Sequence, residues 1–393
     1  MSENHWLLPE GIEELLPEAA KRIERVRHDL LNLYRAWGYE LVMPPFIEYL
    51  ESLLTGTGND LDLQTFKLTD QLSGRTMGLR ADMTPQVARI DAHVLNRNAP
   101  TRLCYIGTVL RTRPLELGGS RSPIQVGAEL YGHEGPESDV EIMRLMLASL
   151  ATVGINDVLL DLGHVGIFRG LAQDAGLDAT QEAKLFDILQ RKSVPELESF
   201  LTDFEADEAA KSRLALLSEL SGGYEVLSVA QDRLEGAGTG VLQSLQALRR
   251  VADLLHEQMP ALTIHYDLAE LRGYNYHTGV VFAAYSIGLG KAIAQGGRYD
   301  NMGIGDTLSR PATGFSADVN KWVSLSGIST SAYAPGILAP YNTESSLLEK
   351  IEQLRQSGER VIQELPDVEG NQTSGCDRRL TRKDDHWQVE PIE

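Results

Sequence analysis

In Lys291-Ala292-Ile293-Ala294-Gln295-Gly296-Gly297-Arg298-Tyr299-Asp300, strand character over 291–295 runs into a glycine pair and an arginine, and in Gly314-Phe315-Ser316-Ala317-Asp318-Val319-Asn320-Lys321 a helix enters at about Asp318. Taken alone, Gly296-Gly297-Arg298 reads as a loop. Upstream, 263–268 and 278–286 also have strand character, so this part of the chain predicts successive strands folding back on one another.

Further upstream the pattern is mixed. Pro17 opens a segment in which Ile23, Val26, Leu30, Leu33 and Trp37 recur at three and four, and Gly38 closes it, which predicts an amphipathic helix. A short strand over 40–43 stops at Pro44-Pro45. Segments 64–69 and 76–80 flank Ser73-Gly74 as a hairpin, and Pro85 is placed to start a helix through about Leu95. Strands are predicted over 102–113 and 124–131, joined by a Gly118-Gly119 loop. In the second, Val126, Ala128 and Leu130 alternate with Gln125, Gly127 and Glu129, so the polar set shares one face. Gln125 and Glu129 can therefore reach one pocket. Ser138 and Glu141 have capping-box spacing for a helix carrying Val140, Met143, Leu147 and Leu150 and ended by Gly154.

From about 168 to 258 strand signals give way to helical patterns rich in Ala, Leu and Glu, within which the acidic run 203–208 reads as a solvated loop or helix start. Past about Gly327 one helix, 343–358, precedes a Gly-, Asp- and Ser-rich tail too short for an ordinary independent core. Sheet, helical insertion and more sheet predict an α+β fold built on a mostly antiparallel sheet flanked by helices. The expected division is a core of 1–167 and 259–328, a helical insertion of 168–258 and a short C-terminal appendage of 329–393.

With 393 residues, 42% hydrophobic and 23% charged, the composition is that of globular protein. No membrane span is expected, and the opening Met1-Ser2-Glu3-Asn4-His5 has no basic region leading into an apolar run, so no secretion signal is expected. Cys104 and Cys376 provide neither a disulfide framework nor a metal cluster, which fits a reducing cytoplasm. A net charge of −20 argues against a general nucleic-acid surface, which needs a basic face. There is no Gly-x4-Gly-Lys-Ser/Thr phosphate loop and no His-x3-His pair.

Read in order, Arg80-Ala81-Asp82-Met83-Thr84, then Arg111, Arg121, Gln125 and Glu129, then Leu271-Arg272-Gly273-Tyr274-Asn275-Tyr276-His277-Thr278-Gly279, then Gly296 to Asp300, resemble the motif series of histidyl-tRNA synthetases across about residues 10–325. The resemblance implies a class II synthetase-like fold, with the helix and strand of 17–43 building a dimer interface. It also implies a histidine pocket in which Asp82, Thr84 and Gln125 hold the ammonium, Arg111 or Arg272 the carboxylate and Glu129 the imidazole. Tyr276, His277 and Tyr299 complete the candidate set. The family usually has Tyr where this chain has His277. A selective site needs such a set, because an amino acid's buried polar groups are costly to leave unpaired.

The ATP side departs from the family. The third signature reads Gly-Phe-x-x-Gly-x-Glu-Arg, its Arg clamping the outer phosphates, whereas Lys321, Asn320 and Asp318 stand here for the Arg, the Glu and the second Gly. A lysine is a mobile point charge and does not reproduce the planar fork of an arginine. In the second signature the Glu that would face adenine aligns with Arg113, and the anticodon-binding domain is replaced by about sixty residues. This combination resembles the family of ATP phosphoribosyltransferase regulatory subunits, found with the short form of that enzyme. What that implies is a protein with no catalytic residues, cofactor or metal that joins a short-form catalytic subunit, activates it and relays feedback inhibition by histidine. A homodimer within a hetero-oligomer, located in the cytoplasm and not binding tRNA, would follow. The alternatives are an active adenylate-forming synthetase, a scaffold with an empty pocket, and a vestigial buried ionic network at Arg111, Glu129 and Arg272.

Overall fold

The computed structural model describes residues 6–54, 59–115, 118–271, 273–274, 276–300, 310–327, 335–366 and 375–392. The chain divides into two units, 1–328 and 329–393.

In the larger unit Pro17 sits at the start of the helix Pro17–Ala36, which buries Ile23, Val26, Leu30 and Tyr34 and is turned out of its path by Gly38 at φ +82°. Strand β1 (Glu40–Leu41) follows. A small antiparallel sheet contains β2 (Ile47–Tyr49), β3 (Lys67–Thr69) and β4 (Thr76–Leu79). The main sheet adds β5 (Thr101–Thr108), β6 (Ile124–Tyr131), β7 (Val158–His164), β8 (Ser221–Gly222), β9 (Thr263–Asp267), β10 (Val280–Ser286), β11 (Ala292–Arg298) and β12 (Ala312–Asp318). Its order is β1-β5-β6-β12-β11-β10-β7-β9-β8, antiparallel from β5 through to β7, with β1 and β9 pairing in parallel with β5 and β7.

Alternation along β6 gives the sheet two chemically different faces. Val126, Ala128 and Leu130 join Leu160, Leu162 and Phe282 in the main core, beneath the helix Pro136–Thr152. The other face carries Gln125 and Glu129, both buried, beside a second cluster that includes Leu103, Tyr105, Tyr131 and Tyr299. The helix predicted from Pro85 runs as Thr84–Arg89 and ends in a π-helical turn, Ile90–Leu95.

Several local expectations change. The strand predicted over 102–113 stops at Thr108. No capping box forms at Ser138: Gly135 caps the helix, Ser138 donates its hydroxyl to the Gly135 carbonyl at 2.7 Å, and Glu141 pairs with Arg102 instead. Pro136 at the first helical position moves the cap three residues upstream of that motif. The reading over 168–258 holds six helices between Val165 and Gln258 among the described residues, and their apolar faces merge with the main core through Phe168, Leu185, Leu214 and Leu248.

The smaller unit is more regular than one helix and a tail. The helix Ser345–Gln356 accompanies a sheet of β13 (Gly336–Ala339), β14 (Val361–Gln363), β15 (Cys376–Lys383) and β16 (His386–Pro391), in the order β14-β13-β15-β16. Asp384 and Asp385, both at positive φ, make the two-residue turn between β15 and β16. Ile337, Leu347, Ile351, Val361 and Leu380 form its core.

Arg298, which the glycine-pair motif delivers, is structural. It is 8% exposed, and its guanidinium donates to Asp139 at 3.1 Å, the Ser138 hydroxyl at 2.8 Å and the His133 and Gly135 carbonyls at 3.1 Å each. This fastens the start of the helix Pro136–Thr152 to β11. Removing one member of a buried pair strands the other, at a cost of about 3–5 kcal/mol. Arg298→Ala should lower the unfolding free energy by that amount, read as a fall in the urea midpoint equal to it divided by an unchanged m-value.

Candidate functional site

Glu129 lies opposite Leu103 on β5 and Gly314 on β12, in the middle of the sheet. It is 1% exposed. Its Oε1 accepts from the Tyr105 hydroxyl at 3.0 Å and from Thr84 Oγ1 at 3.1 Å, while Oε2 accepts from the Tyr299 hydroxyl at 2.6 Å. The Tyr131 hydroxyl stands 3.2 Å behind that of Tyr299. Burial pushes the Glu129 carboxyl up to about 8, the tyrosine and threonine donors pull against it, and the charge of Asp82 adds to the rise. Two glycines make room: a Cβ on Gly314 would overlap the Glu129 carboxylate, and one on Gly127 would overlap the Tyr105 hydroxyl.

Glu129 forms part of the wall of a cavity of about 310 Å³. Asp82 and Thr84 enter it from the start of the helix Thr84–Arg89, where the Asp82 carboxylate accepts the Thr84 N–H at 2.8 Å. Tyr276 and His277 contribute from the loop before β10, with their rings 4.2 Å apart, and Tyr299 from beyond β11. Arg111 borders the cavity and donates Nε to the Ala81 carbonyl at 3.2 Å. Burial lowers the pKa of its guanidinium, opposed by the nearby charges of Asp82 and Asp318. One wall of this cavity therefore carries a buried acid ringed by hydroxyls, and a half-buried cation stands on its border.

Arg111 also borders a second cavity of about 340 Å³, shared with Gln125, Lys291, Asp318 and Lys321. Asp318 caps the helix Val319–Leu325 by accepting the Asn320 N–H at 2.9 Å, and burial pushes its carboxyl up against the pull of that helix end, Lys321 and Arg111. A carboxylate fixed among these cations competes with any phosphate for them.

The structure thus brings Asp82, Thr84, Arg111, Glu129, Tyr276, His277 and Tyr299 around one cavity. Gln125 opens into the other: its Oε1 accepts the Met83 N–H at 2.9 Å, so it holds the Asp82–Thr84 turn from behind. Arg272 lies outside the described residues. Sequence reasoning missed Tyr105, Tyr131, Tyr274 and Phe186. The signal for Tyr105 was present, since Gly127 on the polar face of β6 leaves space for its direct cross-strand partner. Among the described residues no group of three His, Cys, Asp or Glu could hold a metal ion, and no helix is long and apolar enough to cross a membrane.

Comparison with known proteins accounts for both units. The histidyl-tRNA synthetase family matches residues 11–322, and the ATP phosphoribosyltransferase subunit HisZ C-terminal domain matches residues 334–390. An ATP phosphoribosyltransferase regulatory subunit from Thioalkalivibrio sulfidiphilus is 57% identical over 98% of this chain and 98% of its own. Another, from Alkalilimnicola ehrlichii, is 55% identical over 99% of this chain and 98% of its own. A solved ATP phosphoribosyltransferase regulatory subunit/histidyl-tRNA synthetase from Bacillus halodurans superposes with a TM-score of 0.81 at 27% identity, covering 94% of this chain and 95% of that one. The fold is therefore the class II synthetase-like α+β fold expected from the motifs. With near full-length identity above one half, and with both units matched in order, the chain belongs to the family of ATP phosphoribosyltransferase regulatory subunits.

Proposed function

We propose that this chain binds histidine in the Glu129 cavity and, through that site, sets the activity of a separate short catalytic phosphoribosyltransferase in the first step of histidine biosynthesis. The observation that carries the ligand is the disposition of Glu129 and Arg111 around one cavity. Asp82 and Thr84 suit the ammonium, Arg111 the carboxylate and Glu129 the imidazole. Tyr276, His277 and Tyr299 wall the ring. Gln125 positions the ammonium side through Met83, and Arg272 would add to the carboxylate end. Among the described residues no hydrogen bond reaches the terminal nitrogens of Arg111, which supports its reading as a receptor for an anion.

Adenylation is not part of this proposal. Stabilising the charge that develops at a transferring phosphate needs preorganised cations. Asp318 occupies that neighbourhood. Exposed Leu41 and Met43, 41% and 68% accessible, support a homodimer through the region of 17–43, and we place it inside a larger closed hetero-oligomer in the cytoplasm. The core of 1–167 and 259–328 would carry the ligand, the insertion of 168–258 would flank it, and 329–393 would follow in the chain in place of a synthetase's anticodon domain, without tRNA as a partner.

The buried acid gives histidine binding a characteristic pH dependence. The complex holds one proton between Glu129 and the imidazole. Between the imidazole pKa of about 6.5 and the Glu129 value of about 8, the free species also hold one between them, so affinity is flat. Below that window a proton must leave on binding, and above it one must be taken up, so affinity falls on both sides. Glu129→Gln should abolish the upper limb and weaken binding about 10- to 100-fold, as a charge-assisted bond worth about 1.5–3 kcal/mol is lost. Calorimetry across pH 5.5–9 reads both effects. No heat with histidine, alone or with the partner present, would leave Arg111 and Glu129 as a structural network.

Mixing this chain with a short catalytic subunit should raise the rate of phosphoribosyl-ATP formation, and histidine should bring it down again. Activation requires tighter binding to the active state of the partner, since equal affinity for both states shifts nothing. An unchanged rate, with no co-elution at micromolar concentration, would refute the assignment.

A further inference from the structure

The cavity is not built from the synthetase-like core alone. Phe186, on the helix Ala179–Gln190 of the insertion, lines it together with Tyr274, whose ring centroid is 5.3 Å away. Tyr274 is gripped from several sides. Its hydroxyl donates to Glu182, one turn before Phe186 on the same helix. Phe168, on the helix Val165–Asp174, meets its ring edge-on at 5.3 Å, and the Arg169 guanidinium lies 4.6 Å above it. Arg169 also donates to the Tyr274 carbonyl at 2.9 Å and reaches toward the His277 carbonyl at 3.5 Å.

The segment so gripped is the one that presents Tyr276 and His277 to the ligand. It is a tight turn in which the Tyr276 and His277 N–H groups both donate to the Gly273 carbonyl, at 2.9 and 2.8 Å. Gly273 is at φ +64°, and a Cβ there would crowd the rings of His277 and Tyr276. Moving Tyr274 therefore moves the ring-binding wall.

We infer that Glu182 and Arg169 are positioning residues that latch the turn carrying Tyr274, Tyr276 and His277 to the helical insertion, so that filling the cavity and seating the insertion are one coupled equilibrium. This deepens the histidine reading and rests on it for the ligand. Glu182 does not line the cavity, so its effect on binding can only be transmitted. The coupling is reciprocal: a ligand that orders the turn must order the helix Ala179–Gln190, and a partner that displaces that helix must weaken the ligand.

The test uses the full chain, with Glu182→Ala breaking the latch and Glu182→Gln retaining an acceptor for the phenol. In the ligand-free protein, Glu182→Ala should speed hydrogen exchange at the Tyr276 and His277 amides about tenfold and leave β5, β6 and β12 unchanged, with Glu182→Gln near wild type. Histidine added to wild type should slow exchange in both 273–277 and 179–190, and calorimetry should show affinity lowered five- to tenfold by Glu182→Ala and within twofold for Glu182→Gln. Unaltered exchange in the turn of ligand-free Glu182→Ala, or wild-type histidine affinity in that variant, overturns the latch. Absence of any histidine heat in wild type removes the ligand reading instead, and the ligand-free exchange still decides the latch.

Discussion

The structure depends most on one buried carboxylate. A group like Glu129 is costly to bury as an anion, and the sheet meets that cost by arranging neighbours around it. Tyr105 comes from β5, Thr84 from the helix Thr84–Arg89 and Tyr299 from beyond β11, and the bare backbone of Gly314 on β12 leaves the space. Strands far apart in sequence must be in register for these groups to meet. With the antiparallel pairings β5–β6 and β6–β12 in place, the donors converge. Three hydroxyls only partly replace water, so the acid stays weak.

The neighbouring cavity shows the opposite tendency. A triphosphate site needs cations left free for phosphate, and Asp318 places an acid at the helix start beside Lys321 and Arg111. The two cavities share Arg111. In an adenylate-forming enzyme such a shared arginine would join amino acid to nucleotide. Here an acid stands near it in each cavity, Asp82 in one and Asp318 in the other.

What the sequence disclosed, and what it hid, follows from where the information lies. The alternation of Val126, Ala128 and Leu130 with Gln125, Gly127 and Glu129 is local, and it placed the polar face of β6 correctly. It could not say that Gln125 and Glu129 would open into different cavities, because that partition is made by Arg111 and β12. Strands β7 and β12 escaped notice because each runs straight into a helix, so the strand and helix periods blur at His164 and Asp318. Strand β15 escaped because its exposed face is charged, at Asp377, Arg379 and Lys383, and looks like a solvated tail. The Ser138 motif misled because Pro136 set the helix start earlier. Phe186 and Glu182 had no local signal at all, since their role exists only where the insertion meets the turn at Tyr274.

That meeting point bears on how a ligand site can report its state. A regulatory protein does no chemistry of its own, so all it can transmit is a difference in free energy between conformations. A rigid pocket would bind tightly and report nothing. A pocket with part of its wall on an inserted helix can exchange binding energy for the seating of that helix, and the contacts that hold Tyr274 are polar at one end and aromatic at the other. Such a joint can be made or broken at a cost of a few kcal/mol, which is the scale on which allosteric coupling operates. On the latch proposed above, the insertion and not the tightly registered sheet would carry the state of the cavity to another protein.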